Sequence, residues 1–230
     1  KLNTGKAHIV TLEDYVEHAL EGLTQVSVQA TPGLTYADGV RAALQHDHDV
    51  LMVSDLHEPQ TAGLVIRSAL TGRLALAAMH TPDTASTVTR LLDYGIEPYF
   101  LCGSLSGIVA QRLVRKLCTT CREPSKMEAA NLVPLGIDVP KESASAPLWR
   151  AKGCAKCGNT GYTGLTGLFE VLAVDHHIRS LIIKRSPGAQ IRQSAVSKGM
   201  VTLAQAGWQK VQSGDTTLDE LLRVCGTELH

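Results

Sequence analysis

Residues 49–55 read Asp49-Val50-Leu51-Met52-Val53-Ser54-Asp55, a continuous apolar run that ends in a hydroxyl and a carboxylate. Such a run is typical of a strand that is buried on both faces of a parallel sheet. In open α/β sheets, the ligand crevice lies beyond the carboxyl ends of the strands. The stretch therefore predicts an α/β fold and directs the search for a site to the strand ends.

Strand and helix signals alternate on both sides of this stretch. Strands are predicted at 9–12 and 74–79, the second again of the buried type, with a weaker strand at 26–28. Helices are predicted after the Thr35 cap, from Pro59 to a stop at Gly72, and from Asp83 to Tyr94. A longer helix is predicted from Pro98 to Lys116. This alternation favours a mostly parallel sheet, and residues 175–230 predict a small helical unit that begins near His176 and His177.

Polar residues follow three of the predicted strands. Glu13 and Asp14 follow the first, Asp55 follows the second and His80 follows the third. Each is ordinary by itself, since acids often end strands and a single histidine is more often structural. Together they indicate a site, because the carboxyl ends of parallel strands meet at one edge. Asp55 has the form of a Walker B acid, which positions Mg²⁺ or the attacking water of a nucleoside triphosphate.

The cysteines form the most specific motif of the chain. Cys118 and Cys121 are one Cys-x-x-Cys pair, and Cys154 and Cys157 are another. Two such pairs complete a tetrahedral zinc site, and a closed four-cysteine site is structural rather than catalytic. The alternative is free thiols or a redox pair. A Ser/Ala/Pro-rich linker is expected at 141–147, and this cysteine usage indicates a reducing compartment, the cytoplasm.

Composition excludes several classes of protein. The chain is 44% hydrophobic, which is enough to form a core. Its 230 residues fit one globular domain with a smaller second domain. The 22 basic residues balance 22 acidic ones, and aromatics are 4%, so a nucleic-acid partner is not expected. No apolar run is long enough for membrane insertion. We expect Arg112, Arg115 and Lys116 to lie on a solvated helix face rather than in a phosphate site.

The first residues, Lys1 to Lys6, have no initiator Met and no apolar signal core, and we interpret them as the start of a fragment. No Gly-x-x-x-x-Gly-Lys-Ser/Thr occurs in the chain. Residues 3–7 hold a Gly-Lys pair but lack the earlier glycine and the following hydroxyl, so they do not form a phosphate-binding P-loop.

Together these segments resemble the secretion ATPase family that powers type II secretion and type IV pilus assembly, over about residues 9–224. The similar segments are 11–17 with the family's Asp box, 49–55 with its Walker B motif, 78–81 with its His box, and 90–98, 110–118 and 161–167 with further family stretches. The tetracysteine module resembles that of the assembly and export branch, which retraction motors generally lack.

The resemblance implies the C-terminal portion of a RecA-like P-loop NTPase core, without the P-loop, at 1–117. A tetracysteine zinc-binding module at 118–162 and a C-terminal helical subdomain at 163–230 follow. The family works as a homo-hexamer in the cytoplasm at the inner membrane, where ATP hydrolysis drives domain rotation against a platform protein and other secretion or pilus components.

The resemblance also implies roles for single residues. Glu13 would help to place Mg²⁺ and water, Asp55 would take the place of the Walker B acid, and His80 would sense the γ-phosphate of ATP. The residues implied around the Mg²⁺-nucleotide are Glu13, Asp14, Glu17 and Asp55.

The chain departs from the family pattern after the Walker B strand. The family usually has Gly-Glu-Ile-Arg-Asp, whereas this chain has Ser54-Asp55-Leu56-His57-Glu58. The acid is one methylene shorter, and a shift of about 1 Å in a positioning group costs on the order of 10²-fold in rate. Other departures are Tyr15, Gln45, His48 and Leu165.

Two hypotheses about function follow from the resemblance and these departures. The chain is part of a hydrolysing motor, or it is a non-hydrolysing paralogue with a structural or regulatory role. A zinc-ribbon binding module is disfavoured, because it leaves the α/β half unexplained.

Overall fold

The computed structural model of the protein describes residues 1–125 and 148–226. The described strands are β1 Ile9–Glu13, β2 Thr24–Ser27, β3 Val50–Val53, β4 Leu74–Ala77, β5 Gly107–Leu117, β6 Glu123–Ser125, β7 Leu148–Arg150 and β8 Tyr162–Ala173. The described helices are α1 Tyr36–Gln45, α2 Pro59–Leu70, α3 Thr84–Asp93, α4 Pro98–Ser104, α5 His176–Ile183, α6 Gly188–Ser197, α7 Leu203–Gln212 and α8 Leu218–Cys225. The linker predicted at 141–147 lies outside the described residues.

The chain divides into two compact units. The first consists of Lys1–Ile108 and Ala173–Ser194, and the second of Val109–Leu172 and Ala195–His230. The boundaries of these units differ from those of the three predicted segments, 1–117, 118–162 and 163–230. The three segments stay a prediction. Within the described residues, no helix is both long and apolar enough to cross a membrane.

The first unit is built on a four-stranded sheet in the order β2-β1-β3-β4. All three strand pairs are parallel, and Leu12, Val53 and Ala77 lie level across the sheet. The predicted α/β fold with a parallel sheet is confirmed. Residues of β3 are among the most deeply buried, with Leu51 and Val53 at 0% exposure, as the apolar run predicts.

Strand β4 differs from its prediction. It was expected to be buried, yet Leu74 and Leu76 are each 44% exposed. The reason is its place in the sheet, since among the described residues β4 pairs with β3 alone. An edge position is a tertiary property, and the apolar sequence of β4 matches that of a central strand.

The helices of the first unit begin at the predicted capping residues. Thr35 accepts a hydrogen bond from the backbone N–H of Asp38, and Asp83 accepts one from Ser86. Pro59 opens α2. Such caps satisfy backbone N–H groups that have no partner inside the helix. His48 packs below α1 and α2, where its ring lies 2.7 Å from the Ala43 carbonyl oxygen and 3.0 Å from Ser68 Oγ.

The helix predicted from Pro98 to Lys116 is wrong. Helix α4 ends at Ser104, and Gly107–Leu117 form strand β5, which pairs with β8. Ala110 and Val114 are buried while Val109 and Leu113 are exposed. A spacing of four residues returns to the same face in a helix and in a strand, so the apolar pattern fits both. The pairing with β8, about 50 residues away, decided the outcome.

The second unit packs strands β5, β7 and β8 against α7 and α8 around an apolar core. The buried members of the core include Ala110, Val114, Leu148, Leu168, Leu203, Trp208, Val211, Leu218 and Leu221. The predicted helices of the C-terminal region are present, and α5 begins at His176 as expected.

A buried ion pair ties β5 to α8. Glu220 is 1% exposed, and its carboxylate accepts hydrogen bonds from the side chains of Arg115 and Arg223. The Arg115 guanidinium also stacks over the Tyr162 ring at 4.2 Å. The predicted solvated helix face of Arg112, Arg115 and Lys116 is therefore wrong, since these residues lie on a strand and Arg115 is held by a buried partner.

Candidate functional site

The ends of the parallel strands lie at one edge of the sheet. The backbone N–H of Ser54 donates to the Leu12 carbonyl oxygen at 2.9 Å, and that of Ala78 donates to Val53 at 3.0 Å. Glu13, Ser54 and Ala78 are therefore level with one another, and Asp55 and His80 follow one and two residues further along. The convergence of polar strand ends follows from the topology as predicted, while the roles of these residues stay a prediction.

A cavity of about 1050 Å³ opens over one face of this sheet. Its floor is made by alternate residues of the strands, among them Ile9, Thr11, Val50, Met52 and Leu76. Three of the predicted site residues, Glu13, Asp14 and Glu17, line it. Asp55 and His80 are not among its lining residues. The structure thus brings the acidic residues at the end of β1 and just after it to an apolar cavity, whereas Asp55 and His80 do not line it.

Glu13, the last residue of β1, has an oriented carboxylate. Its Oε1 accepts hydrogen bonds from Thr11 Oγ1 at 2.5 Å and from Gln25 Nε2 at 3.0 Å. Thr11 precedes Glu13 on the same face of β1, and Gln25 comes from the neighbouring strand β2. Both donors are neutral, so they orient the carboxylate without neutralising its charge. An oriented carboxylate of this kind can bind a cation or accept a proton.

Asp14 is held by residues that the sequence did not single out as site residues. The Tyr36 hydroxyl donates to Asp14 Oδ1 at 3.0 Å and lies 2.7 Å from Ser54 Oγ. Burial, together with the hydrogen bond to Asp14, raises the pKa of Tyr36 to about 12, although the contact with Ser54 acts in the opposite direction. In the sequence, Tyr36 is visible only as the residue after the Thr35 cap.

Asp55 is paired with the histidine of the altered motif. His57 Nδ1 lies 3.0 Å from Asp55 Oδ2, and the two side chains are 54% and 22% exposed. The His57 ring also meets the Tyr36 ring edge-on at 6.1 Å. His80, three residues beyond β4, is exposed.

The four predicted zinc ligands come together in the second unit. Their Sγ atoms all lie within 4.8 Å of one another, and in the described part of the chain they are the one group of three or more potential ligands that does so. Three separations are 4.0 Å for Cys118–Cys154, 3.9 Å for Cys121–Cys157 and 3.8 Å for Cys154–Cys157. Ligands 2.3 Å from a tetrahedral zinc ion lie about 3.8 Å apart, so the geometry fits a four-coordinate metal.

Backbone N–H groups support this cluster. Those of Cys154 and Gly161 each donate to Cys157 Sγ at 3.2 Å. Burial raises the pKa of Cys157, but these hydrogen bonds, together with those of the Cys154 and Cys121 side chains, outweigh it and bring the pKa to about 6. Gly161 has φ +78°, and an added Cβ would lie 2.5 Å from Ala151 Cβ. The approach of its N–H to the sulfur therefore depends on glycine.

The family described as type II/IV secretion system protein matches residues 1–223. Type II secretion system protein E of Pseudomonas aeruginosa is 40% identical over 227 residues, which cover 99% of this chain and 44% of that protein. The type IV pilus assembly ATPase PilB of Thermus thermophilus is 38% identical over 222 residues, which cover 96% of this chain and 25% of that protein. The chain thus spans less than half the length of these relatives.

Solved structures agree in fold. The pilus retraction motor PilT with bound ADP matches with a TM-score of 0.68 at 22% identity, covering 96% of this chain and 53% of PilT. The ATPase DotB of Legionella pneumophila also matches with a TM-score of 0.68, at 15% identity, covering 97% of this chain and 53% of DotB. Family profile, relatives and fold agree with one another, and the chain belongs to the type II/IV secretion system protein family.

Proposed function

We propose that this chain is the C-terminal half of a hexameric ATPase that drives type II protein secretion or type IV pilus assembly. The observation that carries the proposal is the similarity along almost the whole chain to type II secretion system protein E, at 40% identity. The other half of such a protein would supply the P-loop that this sequence lacks. The assembled protein would work at the cytoplasmic face of the inner membrane against a platform protein.

The edge of the parallel sheet is where we expect the nucleotide. Glu13 is oriented by Thr11 and Gln25, as a carboxylate that places Mg²⁺ and the attacking water must be. Asp55 would act as the Walker B acid, His80 would sense the γ-phosphate, and Asp14 and Glu17 would lie around the metal. Bound Mg²⁺ supplies charge neutralisation for phosphoryl transfer, and the protein supplies the positions of these acids.

Zinc held by Cys118, Cys121, Cys154 and Cys157 would be structural. All four coordination positions are taken by sulfur, which leaves none for water or substrate. The ion would join two cysteine pairs that are more than 30 residues apart in the sequence. The region between them has few apolar residues with which to form a core, so the ion would stabilise its fold instead.

The decisive experiment measures Mg²⁺-ATP turnover by the full-length protein, in the wild type and in the Asp55→Glu variant. If the protein hydrolyses ATP, and the longer acid speeds turnover or leaves it unchanged, the motor function stands and Asp55 is a tolerated variant of the Walker B acid. If neither form turns over although both bind nucleotide, the protein is a non-hydrolysing member with an architectural role.

A matched control for that experiment is Glu58→Asp. Glu58 lies three residues after Asp55, and its Oε1 is 3.6 Å from His57 Nε2. The change shortens a half-exposed acid near Asp55 by one methylene and should leave turnover within about twofold. If Asp55→Glu changes turnover and Glu58→Asp changes it by the same factor, the effect is not specific to Asp55.

A further inference from the structure

We propose that Tyr36 is a positioning residue that locks the acidic segment after β1 to the end of β3 and so fixes Asp14 for the metal-nucleotide. The inference rests on the proposed function, in which Asp14 lies beside Mg²⁺. Tyr36 belongs to none of the sequence segments that resemble the family. It is the first residue of α1, brought there by the Thr35 cap, and it is 5% exposed.

Three hydrogen bonds form a closed circuit around the Tyr36 hydroxyl. The backbone N–H of Asp14 donates to Ser54 Oγ at 3.3 Å, and Ser54 Oγ lies 2.7 Å from Tyr36 Oη. Tyr36 Oη in turn donates to Asp14 Oδ1 at 3.0 Å. Since the Tyr36 proton goes to the carboxylate, the Ser54 proton goes to Tyr36. Every hydroxyl in the circuit then both donates and accepts, an arrangement in which hydrogen bonds strengthen one another.

The circuit joins two segments that carry predicted acids. Asp14 follows Glu13, and Ser54 precedes Asp55. The Tyr36 ring also meets the edge of His57, whose Nδ1 is 3.0 Å from Asp55 Oδ2. Tyr36 therefore contacts Asp14 through its hydroxyl and His57, the partner of Asp55, through its ring.

The circuit depends on a departure of this chain from the family motif. Ser54 stands where the motif that the chain resembles has glycine, and glycine has no hydroxyl. A chain with glycine there could not accept the Asp14 N–H or donate to Tyr36 by a side chain. The serine and the tyrosine should therefore act as a pair, and their coupling can be measured with a double-mutant cycle.

The test is the affinity of the full-length protein for Mn²⁺ with ADP, followed by electron paramagnetic resonance of the metal. Tyr36→Phe is expected to weaken Mn²⁺ binding about tenfold, the effect of one lost hydrogen bond to a charged group. Ser54→Ala breaks the same circuit without touching the carboxylate, and it should weaken binding by a similar factor. The double variant is expected to bind no more weakly than either single variant. In turnover, the Mg²⁺ concentration for half-maximal rate should rise by the same factor, while the rate at saturating Mg²⁺ changes less than threefold.

The control is Tyr94→Phe, which removes a hydroxyl that donates to the His57 carbonyl oxygen and does not reach Asp14. Its Mn²⁺ affinity should stay within twofold of the wild type. Thermal unfolding of every variant checks that the fold persists. Tenfold weakening by Tyr94→Phe, or additive losses in the double variant, would assign a general structural role and overturn the proposal.

Failure of the proposed function gives a different result. A protein that never hydrolyses ATP, but whose Mn²⁺ affinity falls in Tyr36→Phe and Ser54→Ala, refutes the motor function and supports the positioning role. Unchanged Mn²⁺ affinity in both variants overturns the positioning role whether or not ATP is hydrolysed. A protein that binds no Mn²⁺ with ADP overturns both.

Discussion

The cysteine cluster and the carboxyl-terminal edge of the parallel sheet are both candidate sites, but they differ in how closely their predicted residues come together. The cluster holds four ligands with sulfur separations near 3.8–4.0 Å and has its own backbone donors. At the sheet edge, Glu13 and Asp14 line an open cavity, while Asp55 and His80 lie outside its lining.

The difference follows from what each site has to do. A structural metal site needs a fixed number of ligands around the ion, and two short Cys-x-x-Cys pairs can supply them. A site for phosphoryl transfer needs a phosphate cradle, a metal and positioned acids, which come from several separate segments. The following predictions test this contrast, beginning with the largest expected effect.

Cys154→Ser should release the metal from the cluster and loosen the residues around it, while the β1–β4 sheet stays folded. Structural zinc sites contribute on the order of 10 kcal/mol to folding. Zinc content and hydrogen exchange of the backbone measure the two effects. Cys102→Ser is the control, because that thiol contacts the Arg179 carbonyl oxygen and is not in the cluster. Loss of protection in the sheet together with the cluster would contradict the prediction.

Glu13→Gln in the full-length protein should lower ATP turnover by about 10²-fold, because it removes the charge that places Mg²⁺ and the attacking water, and a shift of about 1 Å in a reacting group costs on the order of 10²-fold in rate. Nucleotide binding and hydrolysis are measured separately. Glu21→Gln serves as the control, since it changes an exposed acid of the same connection between β1 and β2. Equal turnover in Glu13→Gln and the wild type would remove Glu13 from the site.

Glu220→Gln should lower the free energy of unfolding of the second unit by about 3 kcal/mol at pH 7. Hydrogen bonds from Arg223 offset the effect of burial and, with those from Arg115, lower the pKa of Glu220 from 4.5 to about 2. The stabilisation is therefore complete above about pH 4.5 and declines as the pH falls towards 2.

Denaturant unfolding of the wild type and Glu220→Gln between pH 2 and 7 measures this difference. The gap between the two curves should close on acidification, because the protonated wild-type side chain loses its charge. Glu123→Gln is the control, since its partners Arg150 and Lys152 are 66% and 62% exposed and exposed pairs contribute little. A gap that does not depend on pH would contradict the ionic explanation.

Gly161→Ala should weaken metal binding by the cluster more modestly than loss of a ligand, by on the order of 1–3 kcal/mol, because strained backbone costs about that much. The change forces a side chain into positive φ and against Ala151. Competition with a chelator measures the affinity. Gly164→Ala is the control, with a similar φ of +72° but no atom within 4 Å of the added Cβ. An equal effect of both variants would show that φ alone is responsible.

Local signals in the sequence carried much of the fold. The Thr35 and Asp83 caps, the Pro59 helix start and the buried strand at 50–53 are confirmed. These features depend on residues within one or two turns of each other. The clustering of the four cysteines was also predictable, because two Cys-x-x-Cys pairs are the spacing of a four-cysteine metal site.

Two features were not predictable from local pattern. The segment at 107–117 is a strand because it pairs with β8, and β4 is exposed because it ends the described sheet. Likewise, the sequence did not indicate that Tyr36 and Ser54 meet at Asp14, or that Glu220 holds Arg115. No spacing rule connects residues that are 18 or 105 positions apart.

The amino-acid sequence by itself determined the α/β class, the capped helices, the two Cys-x-x-Cys pairs and the family resemblance, because each depends on near neighbours or on a motif. The tertiary structure decided that β4 is the outer strand of the described sheet and that residues 107–117 form a strand rather than the predicted helix. It also decided which side chains orient Glu13 and Asp14. Those outcomes depend on contacts between segments that are distant in the sequence, and such contacts stabilise the structure only once the chain has folded.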